Sequence, residues 1–128
     1  MKMLLDTHVV LWWVNEHEKL SDEARSLLLQ DTNILYLSIV SVWEIAIKTS
    51  LGKLTDFEGG VKEFLTVAAN MPIHILPVEP SYIEAIERLP FIHRDPFDRM
   101  IVATAIMEHM AILTSDENIL KYDVLTIS

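Results

Sequence analysis

The 128-residue chain has no cysteine, only three glycines and no long apolar run. Without cysteine it cannot form disulfide bridges, thiolate zinc sites or a cysteine nucleophile, which is compatible with a cytoplasmic location. Gly52, Gly59 and Gly60 build neither a phosphate-binding loop nor a dinucleotide-binding fingerprint. Asp6 and His8 interrupt the apolar N-terminus, so we expect neither an export signal nor a membrane span.

Positive charge is also scarce, since 10 Lys and Arg stand against 19 Asp and Glu and give a formal net charge of −9. This is the wrong sign for a protein that binds nucleic acid through a general basic surface, so any such contact must be local. An acidic protein can instead approach a phosphate through divalent cations, or bind a partner with a basic segment. Composition leaves both functions open.

Apolar residues make up 51% of the chain, which is enough for the core of one domain spanning residues 1–128. Short apolar stretches with strand character alternate with helical patterns. The predicted strands are residues 3–5, 34–37, 73–76, 111–114 and 124–127. Strands joined by helical crossovers predict an α/β fold, with a parallel sheet covered by helices on both faces and right-handed connections.

The helices between these strands begin at residues that can cap them. Thr7 is predicted to cap a helix over residues 9–14, and Ser21 one that runs through Leu29. Ser41 and Glu44 match a capping box, and the helix that they open is expected to stop at Gly52. The other predicted helices cover residues 61–69, residues 80–89, the stretch from residue 96 onward, and a short segment through Tyr122.

The stretch 93–105 has the features of a buried helix start, with Asp95 as N-cap and Pro96 at the first helical position. Asp98 then falls at the third position, where an acid can bond back to the cap. From Met100 the helix is almost wholly apolar, so Asp98 lies at the rim of the core. Asp98 therefore has two interpretations, a helix cap or a site acid, and Glu44 has the same two.

Four acids follow predicted strands or begin the next helix, which is where open α/β sheets bind ligands. They are Asp6, Glu44, Asp98 and Asp116. Each has a structural explanation by itself, but together they would repel one another by roughly 3 to 4 kcal/mol per close pair at an effective dielectric of about 20. A cation would remove this repulsion, and oxygen ligands without cysteine favour a hard ion such as Mg²⁺ or Mn²⁺.

Other catalytic motifs are weaker. His93-Arg94-Asp95 is similar to the catalytic loop of kinases, but Met100 stands where that loop needs asparagine. No two histidines have the spacing of a zinc protease, and the tryptophans and methionines lie at the helical spacing of core or interface residues. Four basic side chains could reach phosphates, or remain solvated or salt-bridged: Lys48, His93, Arg94 and Arg99.

Two rival functions stay open on these observations. A receiver-like phosphoryl-transfer domain also gathers acids and Mg²⁺ at this edge, but it needs a lysine near a later strand end. Lys121 is the only late lysine, and it lies past Asp116 in a predicted helix. A non-catalytic module could instead use its acids to contact a basic partner. Incubation with labelled RNA, in Mg²⁺ or in EDTA, separates both from a nuclease.

Four motifs follow one another along the whole chain at characteristic spacing. They are Leu5-Asp6-Thr7-His8, residues 41–48, residues 93–105 and Leu113-Thr114-Ser115-Asp116. Together they resemble the PIN domains of VapC-type toxins. The resemblance implies a PIN-like three-layer fold with a five-stranded parallel sheet, a Mg²⁺- or Mn²⁺-dependent endoribonuclease, and a cognate antitoxin that blocks the site.

The resemblance also implies roles for single residues. The catalytic and metal-binding acids fall on Asp6, Glu44, Asp98 and Asp116, with Asp6 and Asp116 as direct ligands. Candidate supporting or substrate-contacting residues are Thr7, Ser115, Arg99 and His93. Many members carry a further acid where this chain has Asn118, so the number of metal ions stays open.

Two partners are predicted besides RNA. Three tryptophans and six methionines exceed what so small a core needs, which predicts a homodimer. The acidic site predicts an antitoxin with a basic inhibitory segment, since Arg or Lys side chains would be attracted to it.

Overall fold

The computed structural model describes residues 1–54 and 57–127, and its strands all belong to one parallel sheet. The strands are β1 (Lys2–Leu5), β2 (Ile34–Ser38), β3 (Ile73–Leu76), β4 (Ala111–Leu113) and β5 (Thr126–Ile127). They lie in the order β3-β2-β1-β4-β5, and every neighbouring pair is parallel. β4 and β5 are shorter than predicted, although the Thr114 amide still donates to the Ile127 carbonyl at 2.9 Å.

Helices cover both faces of the sheet, which confirms the predicted three-layer α/β architecture. Those described are α1 (Thr7–Val14), α2 (Asp22–Leu29), α3 (Ile39–Ser50), α4 (Gly60–Ala68), α5 (Pro80–Arg88), α6 (Pro96–Glu108) and the 3₁₀ helix Ile119–Lys121. In β1, Met3 and Leu5 pack into a core shared with α1 to α4, whereas Leu4 packs against α6. This alternation is the two-residue period of a strand.

Two predicted helix starts are wrong. Asp6, not Thr7, is the N-cap residue of α1, and Thr7 is already helical. The capping box at Ser41 and Glu44 does not exist, because α3 begins at Ile39. The chain passes from β2 into α3 at Ser38, whose hydroxyl accepts a hydrogen bond from the Val40 amide at 3.1 Å and takes the cap. Glu44 therefore lies well inside the helix, where capping is excluded.

Three other predicted boundaries are confirmed. The Ser21 hydroxyl caps α2 by accepting from the Ala24 amide. Gly52 follows the end of α3 with a φ of 65°, a left-handed conformation that glycine adopts without strain. Asp95 caps α6 through the amides of Phe97 and Asp98, so the cap of this helix does not need the Asp98 carboxylate.

The centre of the sheet is a topological switch point. From β1 the chain moves outward through β2 to β3, and it then returns to place β4 and β5 on the other side of β1. Leu5 pairs with Leu113 at the carboxyl ends of β1 and β4. Open α/β sheets bind ligands in the crevice at such a point. In the described part of the chain, no helix has the length and apolar character needed to span a bilayer.

Candidate active site

Asp6 and Asp116 lie at the switch point and are connected through one threonine. Asp6 follows β1 and is 3% exposed. The Thr114 hydroxyl donates to Asp6 Oδ2 at 2.8 Å and accepts from the Asp116 amide at 3.0 Å. Sequence reasoning missed Thr114 as a site residue, although its place at the predicted carboxyl end of β4 was a usable signal. Thr114 fixes the Asp6 carboxylate relative to the Asp116 backbone.

Asp116 also has a structural contact of its own. Its Oδ1 accepts hydrogen bonds from the amides of Asn118 at 2.8 Å and Ile119 at 3.2 Å, at the start of the 3₁₀ helix. The adjacent Ser115 is exposed and makes no hydrogen bond to either acid among the described residues. The hydroxyl that supports Asp6 thus comes from Thr114, one residue before the predicted Ser115.

Glu44 is brought to the same edge by α3, where it is 3% exposed. The Thr7 hydroxyl lies 2.9 Å from Glu44 Oε1 and 2.7 Å from Ser41 Oγ, so it can donate its one proton to Glu44 and accept from Ser41. One turn further on, Lys48 Nζ donates to Glu44 Oε2 at 2.6 Å. Thr7 and Lys48 therefore hold the two oxygens of this carboxylate.

The charge of Lys48 is stabilised by its acidic surroundings. Partial burial alone would lower its pKa, but the hydrogen bond to Glu44 and the charges of Glu44, Asp95 and Asp98 outweigh burial and raise the pKa. Lys48 consequently remains a cation paired with Glu44, and it compensates part of the negative charge at this edge.

Asp98 faces a hydrogen-bonded chain rather than the cap of its helix. Its Oδ2 lies 3.2 Å from His93 Nε2, and His93 Nδ1 lies 2.9 Å from the Tyr122 hydroxyl oxygen. Arg99 Nη1 donates to that same oxygen at 3.1 Å. The Tyr122 oxygen accepts from Arg99, so the Tyr122 hydroxyl can donate its proton to His93 Nδ1. With Nδ1 as the acceptor, the ring carries its proton on Nε2 and can donate it to Asp98.

Arg99 reaches the site only through this chain. It is 7% exposed, and its guanidinium also donates to the carbonyls of Pro90 and Ile86 at 3.1 and 3.4 Å. The guanidinium carbon lies 4.9 Å from the centroid of the Phe91 ring, within cation–π range. Arg99 therefore supports the loop before α6 and the orientation of Tyr122.

The four acids are electrostatic neighbours, as the sequence predicts. Burial, and then the charges of Asp95, Asp6, Asp116 and Glu44, raises the pKa of Asp98 to about 8. Burial also raises the pKa of Asp6 above its usual value, with Asp116 and Glu44 adding to the rise. The Thr114 hydrogen bond and the nearby His8 oppose this rise. The sheet edge thus concentrates carboxylates whose ionisation is unfavourable without a nearby cation.

The contacts that these acids make determine how they could bind a metal ion. Among the described residues, no three acid or histidine side chains stand in a ready-made metal-binding arrangement. Three of the carboxylates instead bind side chains, Lys48 for Glu44, His93 for Asp98 and Thr114 for Asp6. The fourth, Asp116, accepts from the amides of Asn118 and Ile119. The chemistry of the four acids fits a hard divalent cation, because all the metal-binding atoms would be oxygens. The raised pKa values of Asp6 and Asp98 show that these carboxylates lack a fully compensating positive charge. Binding requires the carboxylates to turn inward from these partners.

A cleft of about 270 Å³ opens beside the acids. It is lined by Asp6, His8, Trp12, Lys19, Ser115 and Asp116. Lys19 in this lining places positive charge locally beside the acids of a chain whose net charge is −9. An anion could therefore bind locally at this cleft, although the chain as a whole is acidic.

Comparisons with known proteins agree with this fold. The family model of the PIN domain matches residues 3–125. The comparison with curated proteins gives no match. Among solved structures, the chain is similar to VapBC2 from Rickettsia felis bound to a DNA fragment from its promoter, with 16% identity, a TM-score of 0.76, and coverage of 99% of this chain and 98% of that chain.

Two further solved structures show the same likeness. VapBC-1 from nontypeable Haemophilus influenzae has 15% identity and a TM-score of 0.71, covering 100% of this chain and 98% of that chain. FitAcB from Neisseria gonorrhoeae has 22% identity and a TM-score of 0.66, covering 98% of this chain and 96% of that chain. At these identities the likeness establishes the fold, and the family model covers nearly the whole sequence. The chain belongs to the PIN domain family.

Proposed function

We propose that residues 1–128 form one PIN domain that acts as a Mg²⁺- or Mn²⁺-dependent endoribonuclease, the toxin of a toxin–antitoxin pair in the cytoplasm. PIN domains are generally nucleases that use divalent metal ions. The observation that carries the proposal is the electrostatic proximity of four acids, Asp6, Glu44, Asp98 and Asp116, at the switch point of the sheet. Four buried or half-buried carboxylates without disulfide or thiolate chemistry suit phosphodiester hydrolysis assisted by a hard cation.

The acids have different parts in this proposal. Asp6 and Asp116 are the direct ligands, because Thr114 connects them at adjacent strand ends. Asp98 completes the set from α6. Glu44, held by Thr7 and Lys48, orients the attacking water. A divalent ion bound by these residues would lower the pKa of the attacking water and stabilise negative charge on the phosphate.

The remaining polar residues hold these acids in place. Thr114 fixes Asp6, and Thr7 fixes Glu44. The His93 ring fixes Asp98, with Tyr122 behind it. Asn118, which stands where many PIN domains carry another acid, contributes its backbone amide to Asp116. The proposal covers one or two metal ions held by the four acids.

The proposed partners are an antitoxin with a basic segment and a second copy of this chain. Solved structures of similar fold include VapBC assemblies, which supports an antitoxin. Trp43 is 60% exposed, and its ring packs edge-on against the half-buried Phe97 at a centroid distance of 5.3 Å, beside the acidic edge. A partly exposed aromatic pair next to a negative site suits a contact that is both apolar and basic. Trp12 and Trp13 pack on the core, so Trp43 is the better support for an interface.

Cleavage of labelled RNA by the purified protein tests the proposed function. We expect cleavage in Mg²⁺ or Mn²⁺, none in EDTA, and a loss of at least about a hundredfold in Asp6→Asn. Asp31→Asn is the matched control, because Asp31 is exposed in the turn before β2, at the opposite edge of the sheet. A labelled single-stranded DNA of the same sequence tests the preference for RNA. Equal cleavage by wild type and Asp6→Asn would contradict the proposal.

A further inference from the structure

A second cavity adjoins the acidic cleft on the side of α1 and α2. Its volume is about 370 Å³, and it shares Trp12, Lys19 and Ser115 with the acidic cleft. Its lining adds the apolar side chains of Val9 and Leu20. The two cavities are adjacent parts of one groove. We call this second part the Trp12 cavity.

The Trp12 cavity has the composition of a small-molecule site. Its volume lies within the range of roughly 300 to 1,000 Å³ in which such ligands bind. A few polar groups are set among the apolar walls, including the carboxylate of Glu23 and the hydroxyl of Ser21. The Ser21 oxygen accepts from the Ala24 amide, so its proton is available as a donor. An aromatic wall with scattered donors and acceptors suits a flat, polar-edged ring.

The Trp12 indole provides a second, independent observation. Its Nε1 atom is buried and has no hydrogen-bond partner within the described residues. An unsatisfied buried donor costs about 1–3 kcal/mol, and such groups usually have a water or ligand partner. The rings of His8 and His17 are near the indole, with centroid distances of 6.0 and 6.3 Å. Neither ring accepts a hydrogen bond from Nε1.

We propose that the Trp12 cavity binds a nucleobase of the RNA strand, next to the phosphate held at the acidic cleft. The inference rests on the proposed ribonuclease function and names a subsite for it. Lys19 lines both cavities and supplies the positive charge that the sugar–phosphate backbone requires between them. Val9 and Leu20 give the apolar surface for the base, while Glu23 and the indole Nε1, which donates in the plane of its ring, read its edge. Because Nε1 is shielded from water, the indole must turn when the base binds.

Binding of single nucleotides tests the subsite without cleavage. The probes are AMP, CMP, GMP and UMP with Mg²⁺ and wild-type protein, because monophosphates contain no phosphodiester bond to hydrolyse. The readout is the indole ¹H–¹⁵N resonance of Trp12, which is assigned by its disappearance in Trp12→Phe. We expect at least one monophosphate to shift this resonance, while the Trp13 resonance stays in place. Inorganic phosphate at the same concentration is expected to leave Trp12 unchanged.

Cleavage of a random-sequence RNA pool tests the role of the subsite in specificity. We expect Glu23→Gln, a substitution at an exposed position, to change the base preference at one position beside the cut by about five- to tenfold. Trp12→Phe, which removes the Nε1 donor, is expected to change the preference at the same position. Trp13→Phe is the matched control, since Trp13 packs on the core and lines neither cavity.

The possible failures are distinguishable. Absence of RNA cleavage by wild type would contradict the proposed function, whereas the monophosphate titration would still decide whether the cavity takes a base. If the protein cleaves RNA but no monophosphate moves the Trp12 resonance, the subsite proposal is wrong. An unchanged cleavage preference in Glu23→Gln and Trp12→Phe would overturn it as well.

Discussion

Replacing Asp98 by asparagine is expected to stabilise the metal-free protein at alkaline pH. Burial, followed by the charges of Asp95, Asp6, Asp116 and Glu44, raises the Asp98 pKa from 3.8 to about 8. Between these values the folded chain binds more protons than the unfolded chain. The free energy of unfolding therefore decreases as the pH rises from about 4 to about 8. Asparagine cannot ionise, so the free energy of unfolding of the variant does not decrease for this reason as the pH rises.

The expected magnitude follows from the same pKa. A rise from 3.8 to about 8 corresponds to at most about 6 kcal/mol, at about 1.36 kcal/mol for each tenfold change in proton affinity. Water in the adjacent cleft screens part of the interaction, so we expect a difference of roughly 2 kcal/mol. For a chain of 128 residues this corresponds to about 6–8 °C in Tm.

Urea unfolding followed by circular dichroism, in EDTA at about pH 5 and about pH 8.5, measures this difference. We expect Asp98→Asn to exceed wild type at both pH values, by little at pH 5, where the loss has only begun, and by much more at the higher pH. Asp31→Asn controls for the loss of one charge. Mg²⁺ at the higher pH is expected to reverse the order, because the wild type gains binding energy that the variant lacks. If Asp98→Asn were less stable by the same amount at both pH values, Asp98 would have a structural role and the reasoning would be refuted.

Three other predictions follow from single contacts. Thr114→Val removes the hydroxyl that supports Asp6, so it should weaken Mn²⁺ binding by about 10- to 100-fold in a calorimetric titration, with little change in the unfolding midpoint. Unchanged Mn²⁺ affinity would count against this role of Thr114. Lys48→Met leaves the buried Glu44 without its cation and should cost about 1–3 kcal/mol in urea unfolding at neutral pH, and an unfolding midpoint equal to that of wild type would contradict this role of Lys48. Trp43→Ser should dissociate a homodimer at micromolar concentration in light scattering, and a wild-type monomer under those conditions would exclude the dimer.

The sheet could be predicted from the sequence because strands and helices are indicated by patterns of neighbouring residues. Apolar strands such as Ile73–Leu76 alternate with capped helices, and that pattern determines a parallel sheet whose carboxyl ends meet at one edge. Asp6 and Asp116 could be placed at this edge because each follows a strand. Ser38 was missed as a cap because two serines, Ser38 and Ser41, lie near the start of α3, and only the structure shows where β2 ends.

Contacts between distant parts of the chain could not be predicted in this way. The hydrogen bond from Thr114 to Asp6 joins residues 108 positions apart, and that from Tyr122 to His93 joins residues 29 apart. The sequence predicts Asp95 as the cap of α6, but it leaves open whether the Asp98 carboxylate bonds back to that cap. Tertiary packing decides this, since Asp98 instead contacts the His93 ring.

Titration of the metal-free protein with Mn²⁺, followed by electron paramagnetic resonance of the free ion, tests the central claim most directly. The claim is that the four acids at the switch point bind a divalent cation. We expect saturable binding to wild type, affinity at least about tenfold weaker in Asp6→Asn and in Asp116→Asn, and wild-type affinity in Asp31→Asn. Mn²⁺ binding that is absent from wild type, or equal in wild type and Asp6→Asn, would contradict the account.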